Sequence, residues 1–193
     1  MDAPSVFEAC TVESSVRCLC AAVAVALTSG CATSPSATAP APAPARIGVP
    51  FDAGDVAWSR AAGTATVEGR AAITLAGGAP QTCAGGEAQL FPANAYSAEM
   101  MRIVFGSDVR GFAPQGSARY PENVAADFRT IVRRIGCDAD GRFRFDAVPA
   151  GRWYVFSNVV FRGTGPEAAP QGGALMQRVD VAEGARATVL LAP

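Results

Sequence analysis

From Gly63 onward the chain sets apolar side chains at every second position in short runs, and turn residues separate the runs. Ala65, Val67, Ala71, Ile73 and Leu75 alternate with polar or small neighbours. Residues 87–91 put Ala88 and Leu90 on one face, and Phe143 and Phe145 alternate with Arg142 and Arg144. A period of two is that of a strand with one buried and one wet face. Gly77-Gly78-Ala79-Pro80, Cys137-Asp138-Ala139-Asp140-Gly141, Val148-Pro149-Ala150-Gly151 and Glu183-Gly184 supply the turns. Residues 153–161 differ, because only Ser157 and Asn158 break the apolar run; they predict a central strand covered on both faces. Gly69 predicts a bulge or bend in the first strand. Residues 163–173 predict a loop, and 188–191 a closing hairpin partner for a strand through Val179 and Val181. The sum is an all-β chain of about seven strands, which packs as a β-sandwich.

Residues 93–127 interrupt this pattern. Ser97 predicts the cap of a short helix whose Met100, Met101, Val104 and Phe105 cluster on one side. Residues 106–123, rich in Gly, Pro, Ser and Arg, predict a long loop, and a strand is expected at 128–136. Binding residues concentrate on loops carried by rigid scaffolds, so Tyr96, Phe112 and Tyr120 are the candidate partner contacts. The alternative is that they cover one open end of the sandwich. Ahead of it, residues 47–62 bring Val49, Phe51, Val56 and Trp58 among turn formers, as a lead-in strap that packs on the domain edge.

The side-chain inventory narrows the chemistry. All 16 basic residues are arginine, with neither lysine nor histidine in the chain. That removes Ser–His and Cys–His nucleophile pairs, Ser–Lys dyads, Schiff bases, the P-loop lysine and the commonest metal ligand. Paired carboxylates, as in glycosidases, are the main enzymatic route left, and no acid pair stands out. The chain is therefore read as non-catalytic and without a cofactor. Asp138 and Asp140 are spaced like part of a calcium loop, but the later bidentate Glu is missing. They are read as a hairpin turn, and no metal site is expected. Arg129, Arg133, Arg142 and Arg144 are read as a solvated strand face, and no block of like charge points to nucleic acid.

The N-terminal segment carries a different signal. Residues 19–27 are apolar and too short to span a bilayer as a helix. They lead into Thr28-Ser29-Gly30-Cys31 and then an Ala/Pro tract. This resembles the lipobox of a bacterial lipoprotein. The resemblance implies that residues 1–30 are a signal peptide, that Cys31 takes the lipid and becomes the N-terminus, and that 31–46 form a semi-rigid linker. Asp2, Glu8 and Glu13 against Arg17 alone are the wrong charge balance for an export signal, which points to a translation start at Val16. Without residues 1–30 the chain keeps 14 acids and 15 arginines, a balance near +1. Cys10, Cys18 and Cys20 leave with the signal and Cys31 carries lipid. Cys83 and Cys137 remain and are expected to pair in an oxidising compartment, two buried free thiols being the alternative.

The run Cys137-Asp138-Ala139-Asp140-Gly141-Arg142-Phe143-Arg144-Phe145, continued by Val148-Pro149-Ala150-Gly151-Arg152-Trp153-Tyr154-Val155, resembles the carboxypeptidase regulatory-like domain. Residues 63–69, 86–92 and 179–189 extend the likeness over most of 63–193. It implies a prealbumin-like (transthyretin-like) β-sandwich, a scaffold without the peptidase's catalytic domain. Two roles follow as expectations. The first is a lipid-anchored, non-catalytic envelope protein acting as a structural or protein-interaction module. The second is a small-ligand or glycan-binding lipoprotein that uses the 93–127 insertion. Ala32 after the cysteine, by the same lipoprotein resemblance, suits the outer membrane facing the periplasm, with the membrane and another envelope protein or a glycan as partners.

Overall fold

A computed structural model describes residues 44–74, 78–163 and 168–193, all within the unit Pro42–Pro193. The signal segment, Cys31 and Leu75 lie outside the described residues. Two sheets of nine strands in all form a sandwich among the described residues. In the first sheet β1 (Ala65–Ile73) is flanked by β2 (Gln81–Thr82) and β6 (Arg142–Val148), both antiparallel, and by β9 (Arg186–Leu191), which runs parallel to it. The second sheet is antiparallel throughout. Its order is β4 (Arg110–Pro114), β8 (Pro170–Val181), β7 (Gly151–Arg162), β3 (Glu87–Pro92), β5 (Arg133–Gly136).

Alternation decides which face each residue meets. Ala65, Val67, Ala71 and Ile73 of β1, Phe143 and Phe145 of β6, and Trp153, Val155 and Val159 of β7 are buried between the sheets. Tyr154 and Phe156, one residue out of step, point to the opposite face of the second sheet and are buried in a separate apolar cluster. A third layer covers that face: α1 (Ala95–Phe105), α2 (Ala126–Ile131) and the strap through Ile47 and Val56. This explains why 153–157 carries no wet side. Ser157, buried without being apolar, donates its hydroxyl to the Glu87 carbonyl at 2.9 Å.

Several elements depart from the sequence expectation. Asn94, not Ser97, caps α1; the Asn94 side chain accepts from Ser97 N at 3.0 Å while Ser97 Oγ accepts from Asn94 N at 2.9 Å, a reciprocal capping box. The expected loop 106–123 contains strand β4, whose hydrogen bonds come from β8 rather than from any apolar pattern of its own. The expected strand 128–136 starts as helix: Phe128 and Ile131, three apart, both reach the second cluster, and only Arg133–Gly136 is extended. Pro170 already begins β8 inside the expected loop 163–173. Gly69 is no bulge, since the register shift lies between Ala65 and Val67. A Cβ at Gly69 would collide with the Val189 carbonyl of β9 and stand 2.7 Å from the Phe143 ring, so the glycine makes room for a neighbouring backbone and an aromatic.

The last strand is not a hairpin partner of its predecessor. After β8, Ala185 N–H bonds the Ala182 carbonyl at 3.2 Å, and Gly184 N–H reaches Thr64 Oγ1 at 2.9 Å. That turn carries the chain across to the other sheet. Thr66 N–H then bonds the Ala185 carbonyl at 2.9 Å and opens the parallel ladder of β1 with β9.

Candidate functional site

Strand register builds a polar row on the outer face of the second sheet. Arg134 of β5 stands opposite Gln89 of β3, and Gln89 stands opposite Phe156 of β7. Two residues along each strand, on the same face, come Phe91 and Asn158. The third layer does not close over this row. A groove of about 330 Å³ remains, floored by Gln89, Phe91, Phe156 and Asn158 and walled by α1 through Met100, Met101 and Val104. Tyr120, Pro121 and Val124 of the connecting loop, with Phe128, Arg129 and Val132 at α2, form the other wall. The volume lies within the range of about 300–1,000 Å³ usual for small-molecule sites.

Ring contacts tie the floor to the covering layer. Phe91 packs edge-on against Phe128 with centroids 5.5 Å apart and lies 5.6 Å from Tyr154. Phe128 also meets Tyr96 at 5.3 Å and Phe51 of the strap at 5.8 Å. The loop wall is tied down in turn. Tyr96 Oη accepts from Ala125 N at 2.8 Å, and the Asn123 amide bonds both Ile47 N and Ile47 O at 2.8 Å. Glu99 of α1 accepts from Gly48 N at 3.1 Å and Val49 N at 2.7 Å, and these backbone donors, Val49 first, hold its carboxyl below the usual carboxylate range.

The candidate contacts separate. Tyr120 is 53 % exposed and lines the groove, and desolvation pushes its hydroxyl above the usual phenol range. Tyr96 is only 3 % exposed, so it is no surface contact; its ring belongs to the second core cluster and its hydroxyl holds the loop. Phe112 is half-buried against the core between the sheets. Gln89, Phe91, Phe156 and Asn158 were missed because each reads as an ordinary strand position. The available signal was that the apolar-out residues of 153–158 need a covering layer, and a layer made of a Gly/Pro-rich insertion leaves gaps.

Other sequence features resolve simply. Cys83 and Cys137 form a disulfide. Asp138 Oδ1 accepts from Asp140 N at 2.9 Å and Arg142 N at 2.8 Å, and Gly141 takes φ 73°, so Asp138–Gly141 is a hairpin turn. Arg144 pairs with Asp146 at 2.8 Å and Glu68 at 3.0 Å on the outer face of the first sheet. A larger hollow of about 630 Å³ lies over that face, but Arg144 and Glu68, which line it, already satisfy one another. Arg129 and Arg133 are not part of that face; Arg129 stands on α2, and Arg133 on β5 donates to the Asp146 and Ala147 carbonyls. Among the described residues no group of three His, Cys, Asp or Glu side chains gathers to hold a metal ion, and no helix is long and apolar enough to cross a membrane.

No family model matches the chain, and no curated protein matches it in sequence. Its fold is similar to that of a candidate carbohydrate-binding protein from Pseudomonas aeruginosa, known from a crystal structure. The TM-score is 0.61 at 23 % identity, over 71 % of this chain and 93 % of that one. Likeness at that identity concerns the fold alone.

Proposed function

We propose that this chain is a non-catalytic binding module of the cell envelope whose groove takes a saccharide. The observation that carries the proposal is the groove itself: aromatic rings and apolar side chains flank planar amide and guanidinium groups in one concave site. A pyranose offers the matching chemistry, with apolar C–H faces that pack on rings and hydroxyls that both donate and accept. Gln89 and Asn158 can each donate and accept at once, and Arg134 donates in a planar fork. Without His or Lys, the site holds a ligand by contact rather than by covalent chemistry. The fold shared with a candidate carbohydrate-binding protein supports the same reading. The groove is what moves the choice from scaffold or protein-interaction module to ligand binding. The test is a saccharide array followed by titration calorimetry. Tyr120→Ala, at a half-exposed ring outside the core, is expected to weaken the best ligand about threefold to tenfold without loss of fold. Binding of no saccharide, or an unchanged affinity in this variant, removes the proposal.

The module is further proposed to be a carboxypeptidase regulatory-like sandwich held at the periplasmic face of the outer membrane through lipid on Cys31, on the strength of the two resemblances in the sequence. Labelled palmitate is expected to enter the wild-type protein and not Cys31→Ala, and the variant is expected to leave the membrane fraction. Equal labelling of the two would remove the anchor.

A further inference from the structure

We infer that the groove selects an acidic saccharide, one that carries a carboxylate such as a hexuronate. This rests on the groove's being a saccharide site and names the class it takes. The charged side chains lining the groove are Arg129 and Arg134, and no carboxylate lines it. In a chain whose acids and bases nearly cancel, a hollow lined by two guanidiniums, of which only Arg134 meets a carboxylate at its edge, favours an anion.

The two arginines are available to different degrees. Arg129 stands exposed on α2, and among the described residues its guanidinium makes neither a hydrogen bond nor an ion pair. Arg134 touches Glu87 at 3.4 Å with both side chains about half exposed, and its Nη1 donates to the Val132 carbonyl at 3.5 Å. Glu87, which does not line the groove, also accepts from Gln89 Nε2 at 2.7 Å and so orients two of the groove's donors. A guanidinium has five N–H donors, and those not turned to Glu87 or Val132 remain for a ligand. Several other arginines are already engaged. Arg144, Arg152 and Arg178 each hold a carboxylate at 3.1 Å or less. A free arginine at the mouth of an aromatic groove is what bidentate recognition of a carboxylate needs, while the rings hold the sugar's apolar face.

The test uses the full chain in detergent and titration calorimetry with three probes: an oligogalacturonate, the same oligomer fully methyl-esterified, and octanoate. The ester keeps the sugar and removes the charge; octanoate keeps the charge and an apolar body without the sugar. The free acid is expected to bind about tenfold tighter than the ester at low salt. Arg129→Gln, an exposed substitution, is expected to bring the ratio of acid to ester affinity close to one, mainly by weakening the acid. Equal binding of acid and ester overturns the selectivity and leaves the saccharide proposal standing. Octanoate binding as tightly as the uronate overturns it in favour of an apolar-anion site. If neither oligomer binds, the inference fails, and a panel of neutral oligosaccharides decides whether the saccharide site fails with it.

Discussion

Glu99 shows how one side chain can decide the shape of a wall. It sits on α1, yet both its oxygens face the strap, taking the backbone N–H groups of Gly48 and Val49. Because the carboxylate form accepts these bonds and the acid form accepts them poorly, its folded pKa lies below the ordinary value of 4.5. A carboxyl depressed in this way stabilises the folded state fully above its unfolded pKa, and the contribution fades as pH falls through the folded value. Docking of the strap is therefore expected to hold at neutral pH and to loosen in acid, below that ordinary value. Hydrogen exchange at Gly48 and Val49 measures it directly. Their protection is expected to hold from neutral pH down to that ordinary value and to drop as the pH is lowered further in the wild type. In Glu99→Gln it is expected to be low and flat throughout. Protection unchanged by the substitution would show that Asn123 and the buried Ile47 hold the strap without it.

At the scale of elements, legibility follows from where hydrogen bonds and burial come from. Strands β1, β3 and β6 were readable because alternation in their own residues matches the face each presents, as Phe143 and Phe145 against Arg142 and Arg144 show; β7 was readable from an apolar run covered on both faces. The turn at Asp138–Gly141 was readable because it is closed by its own residues. Strand β4 was not, since Arg-Gly-Phe-Ala-Pro has no strand signature and its ladder is imposed by β8. Through α2 and its C-cap the residues Phe128, Thr130 and Val132 alternate like a strand by coincidence, while packing used the helical pair Phe128 and Ile131. Propensity lost to tertiary context in both cases. The site was legible only in part. Tyr120 could be singled out as an aromatic in a loop, whereas Tyr96 looked equivalent until helix α1 turned it inward. Gln89, Asn158 and Arg134 gain meaning only from register, which no local pattern specifies.

At the scale of the whole molecule, the sandwich depends on the places where the chain changes sheets. Cys83 lies between β2 of the first sheet and β3 of the second; Cys137 lies between β5 of the second and β6 of the first. Their disulfide closes a separation of 54 residues and ties both crossings at one corner. Cross-linking a loop of this length removes about 4 kcal/mol of denatured-state entropy in the chain-entropy model. The corner also bears on the groove, because β5 carries Arg134 and its sheet partner is β3 alone. The double variant Cys83→Ser/Cys137→Ser is thus expected to lose about 4 kcal/mol in denaturant unfolding. Its hydrogen exchange is expected to rise most in Arg133–Gly136. Strand β8, paired on both sides by β4 and β7, is expected to change far less, because opening spreads from the least-supported edge. A uniform rise across both strands would mean that the bridge acts only on the unfolded chain. A rise confined to β5 would show that it also holds the arginine side of the groove in place.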